Sequence, residues 1–189
     1  MTDEVELKAV VDDIDKRRRL VENAGGTLEF DGRLIDRRYG DPSGRLVLID
    51  HVLRLRVYET AGAREGFLDW KGPTQYDRGY KVREELSTRI GEPEALAEIL
   101  ENLGYSVILE IERHIWQYSL GQATIRFERY PIMDDLVEVE GPPDAIEKGI
   151  AVLELDRSSF SADRLTDFVA RFEARTNKRA ILSGSQPAL

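Results

Sequence analysis

Near the start of the chain, Glu4-Val5-Glu6-Leu7-Lys8 sets two carboxylates and an ammonium at two-residue spacing. In an extended strand, side chains alternate between faces, so Glu4, Glu6 and Lys8 share one side and Val5 and Leu7 the other. Neighbouring carboxylates repel unless something positive lies between them, and a divalent cation with oxygen ligands is the usual solution. A lysine one step further along can then hold an anion brought in by that metal. Taken alone, the pentapeptide is equally consistent with a surface strand whose charged face is solvated.

The pattern recurs. Arg54 and Arg56 alternate with apolar residues, and Asp69 and Lys71 are in phase. So are Lys81, Arg83 and Glu85, then Arg126 and Glu128, and finally Glu138 and Glu140. A half-buried strand normally turns its polar face to water. Six such strands with charges of both signs suggest one shared polar surface. Closed into a barrel, they would line its interior with charge, which an ionic ligand or metal would have to compensate.

This ordered set, E-x-E-x-K, R-x-R, K-G-P, R-x-E and a closing E-x-E, resembles the CYTH domain, also called the triphosphate tunnel metalloenzymes. That family includes class IV adenylate cyclases, thiamine triphosphatases and inorganic triphosphatases. The resemblance spans roughly residues 2 to 172. It implies an α+β fold, a single-domain closed antiparallel eight-stranded β-barrel with helices packed outside. The barrel would bind a triphosphate with Mg2+ or Mn2+.

The resemblance also guides the assignment of roles. Glu4 and Glu6, with Glu138 and Glu140 from the other end of the sequence, form a carboxylate cage for the metal. Glu128 lies ten residues before Glu138, where the family has an aspartate, and is taken as a further ligand. Glu4, Glu6, Lys8 and Glu128 carry the catalytic assignment. Arg54, Arg56 and Arg83 offer bidentate forks to phosphate oxygens, Lys8, Lys71 and Lys81 add point charges, and Arg126 completes the substrate set. A metal-positioned water would give hydrolysis of tripolyphosphate or of an organic or nucleoside triphosphate, which is the favoured reading. A nucleotide 3'-hydroxyl attacking the α-phosphate would give a cyclic nucleotide instead. A non-catalytic nucleotide or polyphosphate binder is the third reading.

It draws support from one departure. Where the family has a basic pair, this chain has Glu110-Ile111-Glu112-Arg113, and alternation puts Arg113 in phase with Leu109 and Ile111. Glu112 would then stand in the tunnel in place of a lysine, and would weaken phosphate binding or favour a second metal. Asp134-Asp135 likewise replaces the family's Leu-Gly. His51 and His114, the two histidines, fit no zinc spacing. The glycines form no Walker-type phosphate loop, and Trp70 and Trp116 read as packing residues.

Helices must fall between the strand blocks. The periodicity predicts helices over residues 11–24, with basic residues 16–19 outward, and over 93–103, with Leu96, Ile99, Leu100 and Leu103 on one face. Two more are expected over 143–153 and 162–176, the last burying Leu165, Phe168, Val169 and Phe172. Residues 1–178 form the domain and 179–189 a flexible tail. With 189 residues, no cysteine and no apolar run of membrane length, the chain reads as one cytoplasmic domain without disulfides or thiolate metal sites. A net charge of −9 argues against a nucleic-acid partner but not against a small polyanion bound inside. The expected partner is a small-molecule triphosphate, with a homodimer allowed.

Overall fold

The computed structural model describes residues 2–77 and 79–184, residues 2–4 through their backbone alone. The strands are β1 (Thr2–Val10), β2 (Thr27–Gly40), β3 (Val52–Glu59), β4 (Arg64–Lys71), β5 (Gln75–Asp77), β6 (Tyr80–Ile90), β7 (Ser106–Leu120), β8 (Ala123–Arg129) and β9 (Leu136–Glu140). The helices are α1 (Ile14–Asn23), α2 (Arg45–Leu48), α3 (Pro93–Asn102), α4 (Pro143–Val152) and α5 (Leu165–Thr176).

All strand pairings are antiparallel, and the sheet closes on itself. Its order is β1-β9-β8-β7-β2-β3-β4-β6, and β6 returns to β1 with Glu6 opposite Lys81. Eight strands form this unevenly rounded ring, as expected. The ninth, β5, pairs with residues 80–82 of β6 on the edge that β4 occupies further along.

The ring inverts the usual pattern of a small protein. Apolar residues of the strands, among them Leu7, Ile125, Phe127 and Val139, point outward and are covered by Ile14 and Val21 of α1 and Ile146 and Ile150 of α4. Fully burying one such side chain stabilises the fold by about 1.5–3 kcal/mol. The hydrophobic stabilisation therefore sits between barrel and helices, leaving the inner faces free to carry charge. α4 reaches the sheet closely because Gly149 has no side chain. A Cβ there would stand 3.0 Å from Val139 Cγ1.

Several helix details depart from the sequence reading. α1 is capped by Asp13, whose carboxylate accepts from the Lys16 amide at 2.9 Å. Arg17, expected to face outward, is buried and donates to the Leu153 and Glu154 carbonyls at 2.9 and 3.1 Å. It closes the C-terminal end of α4, where carbonyls lack helical partners. Along α3, Leu100 is buried, but Ile99 and Leu103 are exposed because the helix covers only the β3 side of the ring. α2 was not anticipated; four residues carry too little periodicity to announce a helix. Residues 179–184 are not loose. Ile181 bridges to Ile132, and the Glu112 amide donates to the Leu182 carbonyl at 2.7 Å. Residues 185–189 lie outside the described part. No described helix is long and apolar enough to cross a membrane.

Candidate functional site in the barrel interior

The inner faces of the strands enclose two adjoining chambers. The first has a volume of about 350 Å3, and nine cationic and six anionic side chains line it among the described residues. α5 lies across one end, contributing Leu165, Thr166 and Val169, with Leu182 beside them. The second, of about 480 Å3, is lined by Phe30, Tyr58 and Phe67 together with Arg56, Ser87 and Gln117. β3 passes from one chamber into the other within two residues, since Arg54 lines the first and Arg56 the second, and Arg126 of β8 lines both.

Cross-strand register builds the basic chamber. Lys8 stands opposite Glu138 on β9, and Glu6 opposite Glu140 on β9 and Lys81 on β6. The Lys8 ammonium lies 2.9 Å from Glu6 and also pairs with Glu138, so two carboxylates meet on one cation. Lys81 takes the other oxygen of Glu6, and Arg126 Nη1 lies 3.2 Å from Glu138. Burial alone would raise the pKa of Glu6. Lys8, Lys81 and Lys71 together outweigh it and hold this carboxyl well below the ordinary range. Glu138 is lowered in the same way, by Lys8 and Arg126 against burial and the charge of Glu6. Both are therefore ionised at neutral pH.

Between the chambers runs a second network. Asp69, fully buried, accepts from Arg54 Nε at 3.0 Å and from Arg56 Nη2 at 2.8 Å. Arg54 also reaches Asp36 at 3.3 Å and Glu85 at 3.1 Å, and Lys71 lies 3.2 Å from Glu85. Arg83 is anchored to backbone, donating to the Gly72 and Asp50 carbonyls at 2.8 and 2.7 Å. This arginine thereby fixes the K-G-P turn and the start of β3 as walls of the chamber.

Of the residues singled out in the sequence, the basic chamber gathers Glu6, Lys8, Arg54, Lys71, Lys81, Arg83, Arg126, Glu128 and Glu138. Arg56 lines the aromatic chamber instead. Glu140 is part-buried opposite Glu6 and does not line the basic chamber. Glu4 stands opposite Arg83 in register, and its side chain lies outside the described residues. Glu128 is engaged through both oxygens, with Arg113 Nε donating at 2.8 Å to one and the Tyr130 hydroxyl donating to the other.

Glu112 does not enter the tunnel. It points outward and pairs with Arg33 at 2.8 Å, as its neighbour Glu110 pairs with Arg37 at 2.8 Å. Arg113 takes the inward position, buried in the chamber wall. Alternation had put Arg113 with Leu109 and Ile111 correctly, but that face is the inner one. The chamber end under α5 is apolar, with Ile111, Tyr130, Leu136 and Phe168 packed together, so here the charged face of β7 is the outer one. Sequence reasoning also missed Arg38, which follows Asp36 at the same two-residue spacing on β2. The signal was present as Asp36-Arg37-Arg38, but consecutive arginines hide which of them faces in.

The chain matches no family profile and no curated protein sequence. Solved structures do match. A protein from Pyrococcus horikoshii superposes with a TM-score of 0.73 at 24% identity, covering 89% of this chain and 98% of its own. A candidate adenylate cyclase from Vibrio parahaemolyticus gives 0.74 at 22%, over 88% and 97%. A candidate adenylyl cyclase from Hippeastrum, reported to have a dominant triphosphatase activity, gives 0.60 at 13%, over 99% and 93%. The chain has the triphosphate tunnel fold. At these identities the likeness speaks for the fold, and the tunnel's chemistry has to be argued from its own side chains.

Proposed function

We propose that the basic chamber binds a triphosphate together with Mg2+ or Mn2+ and that the protein hydrolyses it. The observation that carries this reading is the excess of lining cations, nine against six anions among the described residues, inside a chain of net charge −9. Buried cations in such number are costly unless an anion shares the space. The tunnel fold shared with the Hippeastrum protein supports the same class of substrate.

Among the described residues no three His, Asp or Glu side chains converge as a ready metal site. Glu6 and Glu138 nonetheless fit a hard divalent cation, being ionised oxygen donors on adjacent strands that already converge on one positive charge, Lys8. Mg2+ is commonly held by one or two carboxylates with substrate phosphates and water completing its shell. When bound, such an ion neutralises phosphoryl oxygens and polarises an attacking water. Lys8, Lys71 and Lys81 would offer ammonium charge to phosphate oxygens from β1, β4 and β6. Arg54 and Arg126 present planar forks from the facing strands. Phosphoryl transfer depends mainly on such positioning and charge stabilisation.

The test is incubation with tripolyphosphate, ATP and thiamine triphosphate, each with Mg2+ or Mn2+, reading orthophosphate, pyrophosphate and cyclic nucleotide separately. Orthophosphate release is expected. Pyrophosphate with a cyclic nucleotide would replace hydrolysis by cyclisation, and neither turnover nor binding with any of the three would overturn the reading.

A further inference from the structure

Arg38 is the exception among the nine cations that line the basic chamber. Each of the other eight has an ion pair or hydrogen bond to the protein, from Lys8 with Glu6 to Arg164 with Asp50. Arg38 has none among the described residues, and its Nε is buried without a partner. The nearest acid in sequence, Asp36, shares its face but gives its single ion pair to Arg54, and Asp36 Oδ1 is itself buried and unpartnered. Four residues along the same wall, Arg113 stands opposite Leu34 and keeps a buried Nη1 without an acceptor. The β2–β7 wall therefore carries two guanidinium groups with donors left over. On the opposite side of the ring, β1, β6 and β9 pair the charges of Glu6, Lys8, Lys81 and Glu138 among themselves.

Arg38 is part-buried, and a buried guanidinium nitrogen without an acceptor costs the fold stability. We infer that Arg38, with the spare donor of Arg113, forms an anion subsite on the β2–β7 wall that receives a phosphate group of the substrate. This rests on the triphosphate reading and adds to it a residue outside the sequence motifs. The subsite takes tetrahedral oxyanions, whose oxygens accept from a guanidinium fork. With Glu6 and Glu138 on β1 and β9 across the chamber, a bound triphosphate is oriented, one end at Arg38 and the metal-facing oxygens at Glu6 and Glu138.

The distinguishing test is a divergence between stability and binding. Arg38→Met is compared with the unsubstituted protein by thermal unfolding, with and without tripolyphosphate and Mg2+, and by calorimetric titration of tripolyphosphate. Without ligand the variant melts at the same temperature or higher, because an uncompensated charge has left the interior. Its tripolyphosphate affinity falls by about 10- to 100-fold, the worth of hydrogen bonds to a charged group. The midpoint rise on ligand addition shrinks accordingly, and Arg38→Lys recovers part of the affinity. Unchanged affinity in Arg38→Met would overturn the subsite, as would a variant that is destabilised yet binds normally. If Lys71→Met loses tripolyphosphate while Arg38→Met keeps it, the subsite fails and the triphosphate reading stands. If the unsubstituted protein binds no tripolyphosphate, both fall.

Discussion

The two chambers are made by the same strands and differ in what they ask of the fold. In the aromatic chamber Tyr58 packs edge-on against Phe30 at 5.3 Å and Phe67 at 5.7 Å between ring centroids. Such contacts are satisfied within the protein and stabilise it without any ligand. In the basic chamber the charges are only partly satisfied, and cations outnumber acids among the described residues. The aromatic chamber adds to stability, whereas the basic chamber holds potential for binding at some expense to it. A step of two residues along β3, from Arg54 to Arg56, separates the two regimes.

The sharpest way to break this contrast is to remove a carboxylate where two converge. Glu138→Gln keeps the shape but takes one anionic ligand from the pair around Lys8. Metal-dependent turnover is expected to fall by about two orders of magnitude, and Glu6→Gln should behave alike. Circular dichroism should show both variants folded. Unchanged turnover in both would mean that the metal, if used, is held elsewhere.

The partition between the chambers comes next. Asp69→Asn leaves Arg54 with Asp36 and Glu85, and Arg56 with Glu85 and the Tyr58 hydroxyl, which lies 3.0 Å away. Breaking a buried ionic network typically costs 3–5 kcal/mol, and the remaining partners place this loss near about 3 kcal/mol in urea unfolding. The same carboxylates set the acid limit. Burial pushes Asp36, Asp69 and Glu85 up, but the surrounding arginines, with Lys71 at Glu85, hold all three below their ordinary values. Groups with a lowered folded pKa contribute stability that is complete above the unfolded value and is lost as pH falls through the folded one. The unfolding midpoint should therefore be level at neutral pH and fall once pH drops below about 4. In Asp69→Asn the acid decline should be shallower.

Much of this was legible in the sequence because strands write their faces at period two. Glu6-x-Lys8, Arg54-x-Arg56 and Arg126-x-Glu128 each announce an inward charged face, and closing the ring brings these faces together. Alternation says which residues share a face but not which face is inside. On β7 that choice was made wrongly, since an apolar inner face under α5 looks from sequence like an outer core face. Arg17 shows the same limit in a helix, where a basic run hid one arginine needed to cap carbonyls of another element. Arg38 was illegible for a different reason: its role depends on the absence of a partner, and absence has no motif.

The smallest expected effect tests the quieter chamber. Phe67→Leu removes one edge-to-face contact from a part-buried ring and leaves the ion pairs of the partition in place. A loss of about 1 kcal/mol follows, which for a chain of this length lowers the melting midpoint by about 2–4 °C. Tripolyphosphate affinity should stay within about twofold, because this ligand has nothing for aromatic faces to hold. A large loss of tripolyphosphate binding in Phe67→Leu would show that Arg56 and Arg126 transmit changes from one chamber to the other. In that case the interior is a single site, and its boundary at Asp69 is one of geometry alone.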